Sequence, residues 1–540
     1  MAEAVGPQLS HGTARWPRLA GRSWPIAASV LAFAIMVWPL WAVATPAMPD
    51  YPARLAGYYL AGGGATLSPF YGIAWMPVPN LAGEIAIPAL GRVLTLEPAT
   101  KVFLSLAVAL WVWGPWLIHR ALYGQWGVAP LISAFFAYNA NFMWGFLNYY
   151  FAVGLCFAVF AGWIASENWP RLLRVAVFGA AITILYFSHL VAAILFLLLV
   201  ATFEATNPRL TWRNVNRPFV DMAIISLPIV LLLLMKPGNS TDGKITFSII
   251  DTLPARIESV VQTSFGEPAT YLILVIALLF GLGMWRHKVF VHPRMHLPLI
   301  ALALGALLMP ERAMGGALAH LRLPAFAAAV LFASCDIRLS RPLKAVLVVA
   351  VFVGLAWLSL NLARQWTTYD RQALEFRFAL ANLPRGSRLM TAIGSRVPLS
   401  PLYWHIAEFA IIDRSAFSPQ MFATKGQHII YVKPEMAPFA PRAPIKGIPT
   451  HVKYLNKLAA GGSKNPKTQS FLCQRWPHLF YFPCHFDAVL VVHGKRKPQA
   501  SVRMLRPIYA GSFFTLYEIR GPRVCASDQA PRPRCEQLPK

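Results

Sequence analysis

Long apolar runs dominate the chain up to residue 363, at about 25–45, 100–118, 127–143, 147–165, 172–187, 189–206, 219–236, 269–285, 296–309, 322–337 and 345–363. Inside a bilayer every backbone donor and acceptor must be satisfied within the protein, so such runs are expected to cross as helices. Eleven runs give eleven expected spans, several shorter than the ~20 residues a straight crossing needs. The composition agrees: of 540 residues, 56% are hydrophobic and 13% charged. A soluble chain carries about twice that charged share. The first run is not followed by an A-x-A cleavage pattern, so a retained span is expected there.

The basic residues orient the spans. Arg15, Arg18 and Arg22 precede the first run. Arg120, then Arg171 with Arg174, then Arg209, Arg213 and Arg217 follow at later connections. Arg286, Lys288 and Arg294, and finally Arg338, Arg341 and Lys344, complete the series. The clusters fall at every second connection, which places them on the cytoplasmic side. Both flanks of 172–206 are basic, so the chain must turn back within it, near Ser188 and His189. The reading is a cytoplasmic tail (1–24), a transmembrane domain (25–363) and an extracytoplasmic α/β domain (364–540), in a bacterial inner membrane. The net charge of +27 accompanies no nucleic-acid motif; it suits orientation and lipid headgroups instead.

Cys156 and Cys335 sit in spans, whereas Cys473, Cys484, Cys525 and Cys535 all lie in the tail. An even set in an extracytoplasmic domain points to disulfides. Cys473 with Cys484 and Cys525 with Cys535 are the simplest of three pairings. A zinc site is the rival, although neither spacing has the usual C-x-x-C form. In the tail, 387–393, 486–494 and 511–520 read as strands, 401–414 as a helix, and 424–470 as a loop.

The first outer connection, about 46 to 99, opens with "MPDYPARLAGYYLA" and later carries "NLAGEIAIPALGRVL". Both stretches read as amphipathic helices lying along the interface. Under this topology Asp50, Glu84, Glu97, Asp242, Asp251, Glu258, Glu267 and Glu311 all fall on the outer side.

This plan resembles GT-C-type glycosyltransferases: one span, a long outer loop with an acid at its start, many short spans and an outer α/β domain. The resemblance implies a polytopic α-helical fold. It also implies transfer of sugar from a polyprenyl-phosphate carrier to an acceptor at the outer face. The family's functional acid corresponds to Asp50, in "MPDYPARLA". Many members carry two adjacent acids there; here Tyr51 holds the second place, and a divalent metal is left open. The stretches "PDYPARLA", "PNLAGEIAIPALGRVL" and "FMWGFLNYYFAVGL" also resemble a group of bacterial multispan membrane proteins.

Asp50 has two readings. It is a general base toward an acceptor hydroxyl, or it caps a helix that starts with Pro52 and pairs with Arg54. Glu84 either shares the site of Asp50 or is a solvated face. His189 is a site residue or an interhelical donor. In "PERAMGGALAHLRLP" Arg312, His320 and Arg322 either clamp a carrier phosphate, with Gly315 and Gly316 allowing close approach, or meet lipid headgroups. Asn148, Tyr149 and Tyr150 either line a sugar pocket or, the better reading, the tyrosines belong to an aromatic belt. No Walker loop, Rossmann fingerprint or H-E-x-x-H is present. A lipid-linked glycan flippase and a non-catalytic scaffold of the same fold remain as alternative functions.

Overall fold

The computed structural model describes residues 23–209, 211, 216–235, 245–312, 317–394, 400–424, 427–441, 448–494, 504–520 and 535. Arg15, Arg18, Arg22, Arg213, Asp242, Gly315, Gly316 and Cys525 lie outside the described residues. Among the described residues, six helices are long and apolar enough to cross a membrane: Trp24–Ala42, Leu96–Tyr123, Leu147–Ala165, Arg171–Ser188, Asn216–Leu234 and Arg341–Asn382. Four shorter apolar helices accompany them: Leu190–Ala205, Thr270–Trp285, Pro293–Leu308 and Ala319–Ala333. The chain is a multi-pass membrane protein.

The run at 127–143 departs from expectation. It is a short helix, Ala129–Ile132, a 3-10 stretch, Ser133–Tyr138, and a second short helix, Ala140–Trp144. Asn139 causes the break. Its backbone is extended, and its side chain accepts from the amides of Asn141 and Phe142, opening the next turn. Irregular backbone survives at this depth only where protein surrounds it, and the whole segment from Ala129 to Met143 is buried. The turn expected near Ser188 and His189 is present. His189 is extended, and its Nδ1 accepts from the Val191 amide to start the helix Leu190–Ala205.

Tyr149 and Tyr150 do not form a belt. They are 2% and 0% exposed, inside the bundle. Tyr150 stacks on Trp111 with centroids 5.0 Å apart, and Trp111 Nε1 donates to the Tyr150 carbonyl at 2.9 Å.

The first connection is also more deeply set than expected. Of the nine residues in the helix Tyr51–Tyr59, seven are buried, because the tail covers the face that would otherwise be wet. The strand Tyr71–Ile73 pairs antiparallel with Ile430–Val432 of the tail, locking connection and tail together. The helix Arg341–Ala379 carries the last span straight into the tail, and Asp370 on it accepts from the amides of Ala44 and Thr45 at 3.1 and 2.7 Å.

The tail is built on five strands in the order Leu505–Ala510, Phe514–Ile519, Ala488–Val492, Leu389–Ile393 and Thr450–His451. Leu389–Ile393 is parallel to both neighbours, and the remaining pairs are antiparallel. All five residues of Ala488–Val492 are buried, so the centre of the sheet is covered on both faces. The stretch read as one helix at 401–414 divides into turns Pro401–Tyr403 and Ile406–Glu408 and a helix Phe409–Arg414. The stretch read as a loop at 424–470 holds the strand Ile430–Val432 and the helix Val452–Ala459. Its Lys, Pro and Gly content hides elements that tertiary pairing holds in place.

The cysteine pairing corrects the simplest expectation. Cys473 bonds Cys535, not Cys484, across a Cα–Cα distance of 5.4 Å. The chain between Cys473 and Cys484 is taken up by a helix end and the 3-10 turn Pro477–Leu479, so nearness in sequence does not bring the sulfurs together. Cys484 is also disulfide-bonded, which removes the thiolates a zinc site would need. Cys156 and Cys335 are free and buried.

Candidate active site

Pro46 and Pro49 end the first span's continuation, and Asp50 opens the helix Tyr51–Tyr59. Its amide donates to the Trp144 carbonyl at 3.1 Å, and its carbonyl accepts from the Arg54 amide at 2.9 Å. Its carboxylate makes no capping hydrogen bond to the helix. The backbone is pinned by both ends of this contact while the side chain is left to face a cavity. Gly145 permits the approach: its φ is +83°, and a Cβ there would sit 3.2 Å from the Asp50 Cβ.

The cavity encloses about 440 Å³. Three parts of the chain wall it. The first connection gives Asp50, Arg54 and Asn80; the membrane bundle gives Tyr149, His189, Arg312 and Arg322; the tail gives Trp404, His405, Phe422 and His428.

From the tail, His405 Nε2 reaches to 3.9 Å from Asp50 Oδ1. His405 Nδ1 lies 3.6 Å from Glu408 Oε1, which also accepts from Ser418 Oγ at 3.1 Å. The result is a carboxylate–imidazole–carboxylate chain, with His405 and Glu408 buried. Burial pushes the Asp50 carboxyl above the ordinary carboxylate range, against the opposing pull of His405, Arg54 and Arg322. Burial also opposes the charged form of His405, but the Glu408 carboxylate and then Asp50 outweigh it and raise the imidazole above its usual value.

Arg54 does not form the expected pair with Asp50. Its Nη1 lies 3.8 Å from Glu84 Oε1, its guanidinium covers the Phe422 ring at 4.9 Å, and its Nε is buried without a hydrogen-bond partner. Glu84 is not a solvated face. It is buried behind the cavity and accepts from Asn148 Nδ2 at 2.6 Å, while Asn148 also bonds Asn80 and Gly83. Burial raises the Glu84 carboxyl, with Arg54 and Asn148 opposing.

Arg322 stands between the rings of Phe146 and Tyr149, at 5.3 and 5.4 Å, and its Nε is buried without a hydrogen-bond partner. Tyr149 donates to the Arg322 carbonyl at 2.6 Å and meets His189 edge to face at 5.2 Å. Arg312 lines the cavity mouth from an exposed position. His320 is buried in the turn Ala319–Leu321 and does not line the cavity.

Asp50, Arg54, His189, Arg312 and Arg322 are therefore brought together, with Glu84 one layer behind. His405 and Glu408 escaped the sequence reading. Their only signal was two ionisable groups one turn apart in the apolar segment "PLYWHIAEFAII". Among the described residues no three His, Cys, Asp or Glu side chains gather in a form able to hold a metal ion.

No family model matches the chain, and no curated protein sequence resembles it. Solved structures do. ArnT from Cupriavidus metallidurans in the apo state aligns with a TM-score of 0.50 at 14% identity, over 92% of this chain and 98% of that one. The same protein bound to undecaprenyl phosphate aligns with a TM-score of 0.48 at 13% identity, over 94% and 100%. Arabinofuranosyltransferase AftD from Mycobacteria aligns with a TM-score of 0.40 at 15% identity, over 92% of this chain and 41% of that one. The chain shares the fold of apo ArnT.

Proposed function

We propose that this protein is a glycosyltransferase of the bacterial inner membrane that moves a sugar from a polyprenyl-phosphate carrier to an acceptor hydroxyl. The N-terminus is cytoplasmic in this reading, and the cavity and tail face the periplasm. One observation carries it: a partly buried, uncapped Asp50 carboxylate faces a cavity together with Arg54, Arg322 and His405.

The chemistry is a displacement at the anomeric carbon. The acceptor oxygen forms a bond to that carbon as Asp50 takes the hydroxyl proton. The bond from the carbon to the carrier phosphate oxygen breaks, and its electron pair leaves with the phosphate. Arg322, with Arg312 at the mouth, holds the departing phosphate, since a guanidinium fork matches two phosphate oxygens. An elevated Asp50 pKa makes the proton easier to keep during the step. His405, held by Glu408, orients the carboxylate and supports its charged form between turnovers. Arg54 and the rings of Trp404 and Phe422 line the sugar's path. The charges that act most on Asp50 come from His405, Arg54 and Arg322, which suits an anionic carrier; no step needs a divalent ion.

The test is a deletion strain with its lipid-linked and surface glycans profiled by mass spectrometry. Loss of one sugar from an acceptor, with accumulation of the polyprenyl-phosphate donor, is the expected result. An unchanged glycan profile overturns the reading. A flippase would instead leave an intact lipid-linked glycan stranded on the cytoplasmic side.

A further inference from the structure

The helix Thr270–Trp285 has sixteen residues, none of them buried. A groove of about 480 Å³ separates it from the long helix Arg341–Ala379. Val275, Leu279 and Leu282 form one wall, Leu347 and Ala350 the other, and Phe332 part of the floor. In water such a gap would close. In a bilayer something apolar fills it, because an unfilled groove forfeits contacts on both walls.

The groove has a polarity along its length. At one end the helix Thr270–Trp285 follows the hairpin Gln262–Ser264 and Glu267–Pro268, where Phe265 packs edge to face on Trp144 of the active-site cavity at 4.9 Å. At the other end Arg286 and Lys288 line the groove, and both are exposed. The neighbouring carboxylate, Asp336, is engaged by Arg338 at 3.1 Å. Among the described residues no carboxylate pairs with Arg286 or Lys288. From Leu272 to Leu282 the helix rises roughly 15 Å, half of the ~30 Å hydrocarbon core. The groove is thus one leaflet deep, apolar along its walls and cationic at its mouth.

We propose that this groove is a binding site for an anionic diacyl phospholipid of the leaflet opposite the active site. Its acyl chains lie between the helices Thr270–Trp285 and Arg341–Ala379, and its phosphate meets Arg286 and Lys288. The lipid completes the packing of a helix that the protein holds along one face only, through residues such as Ile276 and Phe280.

The test is native mass spectrometry of the delipidated full-length protein in detergent, titrated with dioleoyl phosphatidylglycerol or dioleoyl phosphatidylcholine. The expected result is phosphatidylglycerol retained on the order of tenfold more tightly. Arg286→Glu with Lys288→Glu removes the preference, while Ala350→Trp, which fills the groove, lowers retention of both lipids. Glycerol 3-phosphate does not compete, since the chains supply most of the contact. Equal retention of the two lipids by wild type, or a preference that survives charge reversal, overturns the headgroup assignment. Unchanged retention in Ala350→Trp overturns the groove. Arg286→Gln with Lys288→Gln provides the milder variant should charge reversal impair folding. None of these readouts depends on glycosyl transfer.

Discussion

Asp50 Oδ1 and His405 Nε2 lie 3.9 Å apart, one at the start of the first long connection and the other in the C-terminal tail. The candidate site exists only when the tail is docked on the bundle. This relation sets the pH behaviour. Asp50 must be ionised to accept a proton, and its pKa is raised, so activity should fall with acidification above the ordinary carboxylate range of about 4. His405 pulls that pKa down. In His405→Gln the pull is lost, so the acid limb of the pH–rate profile should move to higher pH. An acid limb that stays in place would show that the imidazole does not act on Asp50.

Glu408 reaches the same group from the other side. Its carboxylate is the main cause of the raised His405 value. Glu408→Gln should leave the imidazole more nearly neutral, but the Glu408 carboxylate also raises Asp50 directly, so the acid limb should move less than in His405→Gln. Combining the two changes should add little, because they act in series. A double-variant shift equal to the sum would separate the two residues.

Arg322 is held between Phe146 and Tyr149 with its Nε unbonded, as a phosphate receptor would be. A charged hydrogen bond lost to Arg322→Gln costs about 1.5–3 kcal/mol, so KM for the carrier substrate should rise roughly ten- to hundredfold. Kinetics over a donor titration checks this, and a lowered kcat at unchanged KM would move Arg322 from ground-state binding to the transition state.

Positive charge at the site comes from side chains, so chelation of divalent ions should leave turnover unchanged. A loss that added magnesium or manganese restores would place a metal in the reaction.

The disulfide Cys473–Cys535 closes a separation of 62 residues. Replacing both cysteines with serine should lower the stability of the tail by about 2–4 kcal/mol. Thermal unfolding of the purified protein would show the drop, and an unchanged midpoint would mean that the bridge is not formed in the native protein.

Much of this architecture is legible in local sequence. Apolar runs mark the helices, the paired basic flanks require the turn at His189, and the apolar strand cores Leu389–Ile393, Ala488–Val492 and Phe514–Ile519 stand out from the tail. Asp50 and Arg322 are readable because lone charges beside apolar runs are few. What stays hidden depends on distant partners. Nothing near Asp50 in sequence announces His405, and nothing near Arg54 shows that it turns to Glu84. Tyr149 looks like an interfacial residue until the bundle closes over it. The broken span around Asn139 and the pairing of Cys473 with Cys535 likewise follow from tertiary packing that no periodicity records.

The central claim is that Asp50 does chemistry and does not merely start a helix. Its side chain makes no capping bond, so Asp50→Asn should leave stability within ~0.5 kcal/mol. Transfer should fall on the order of 10²–10⁴-fold, the usual contribution of a general base. The most direct measurement is complementation of a deletion strain with Asp50→Asn at matched membrane levels, reading lipid-linked sugars by mass spectrometry. The account predicts that the donor accumulates as in the deletion strain while the protein is present and folded. Full restoration of the glycan profile by Asp50→Asn would contradict it.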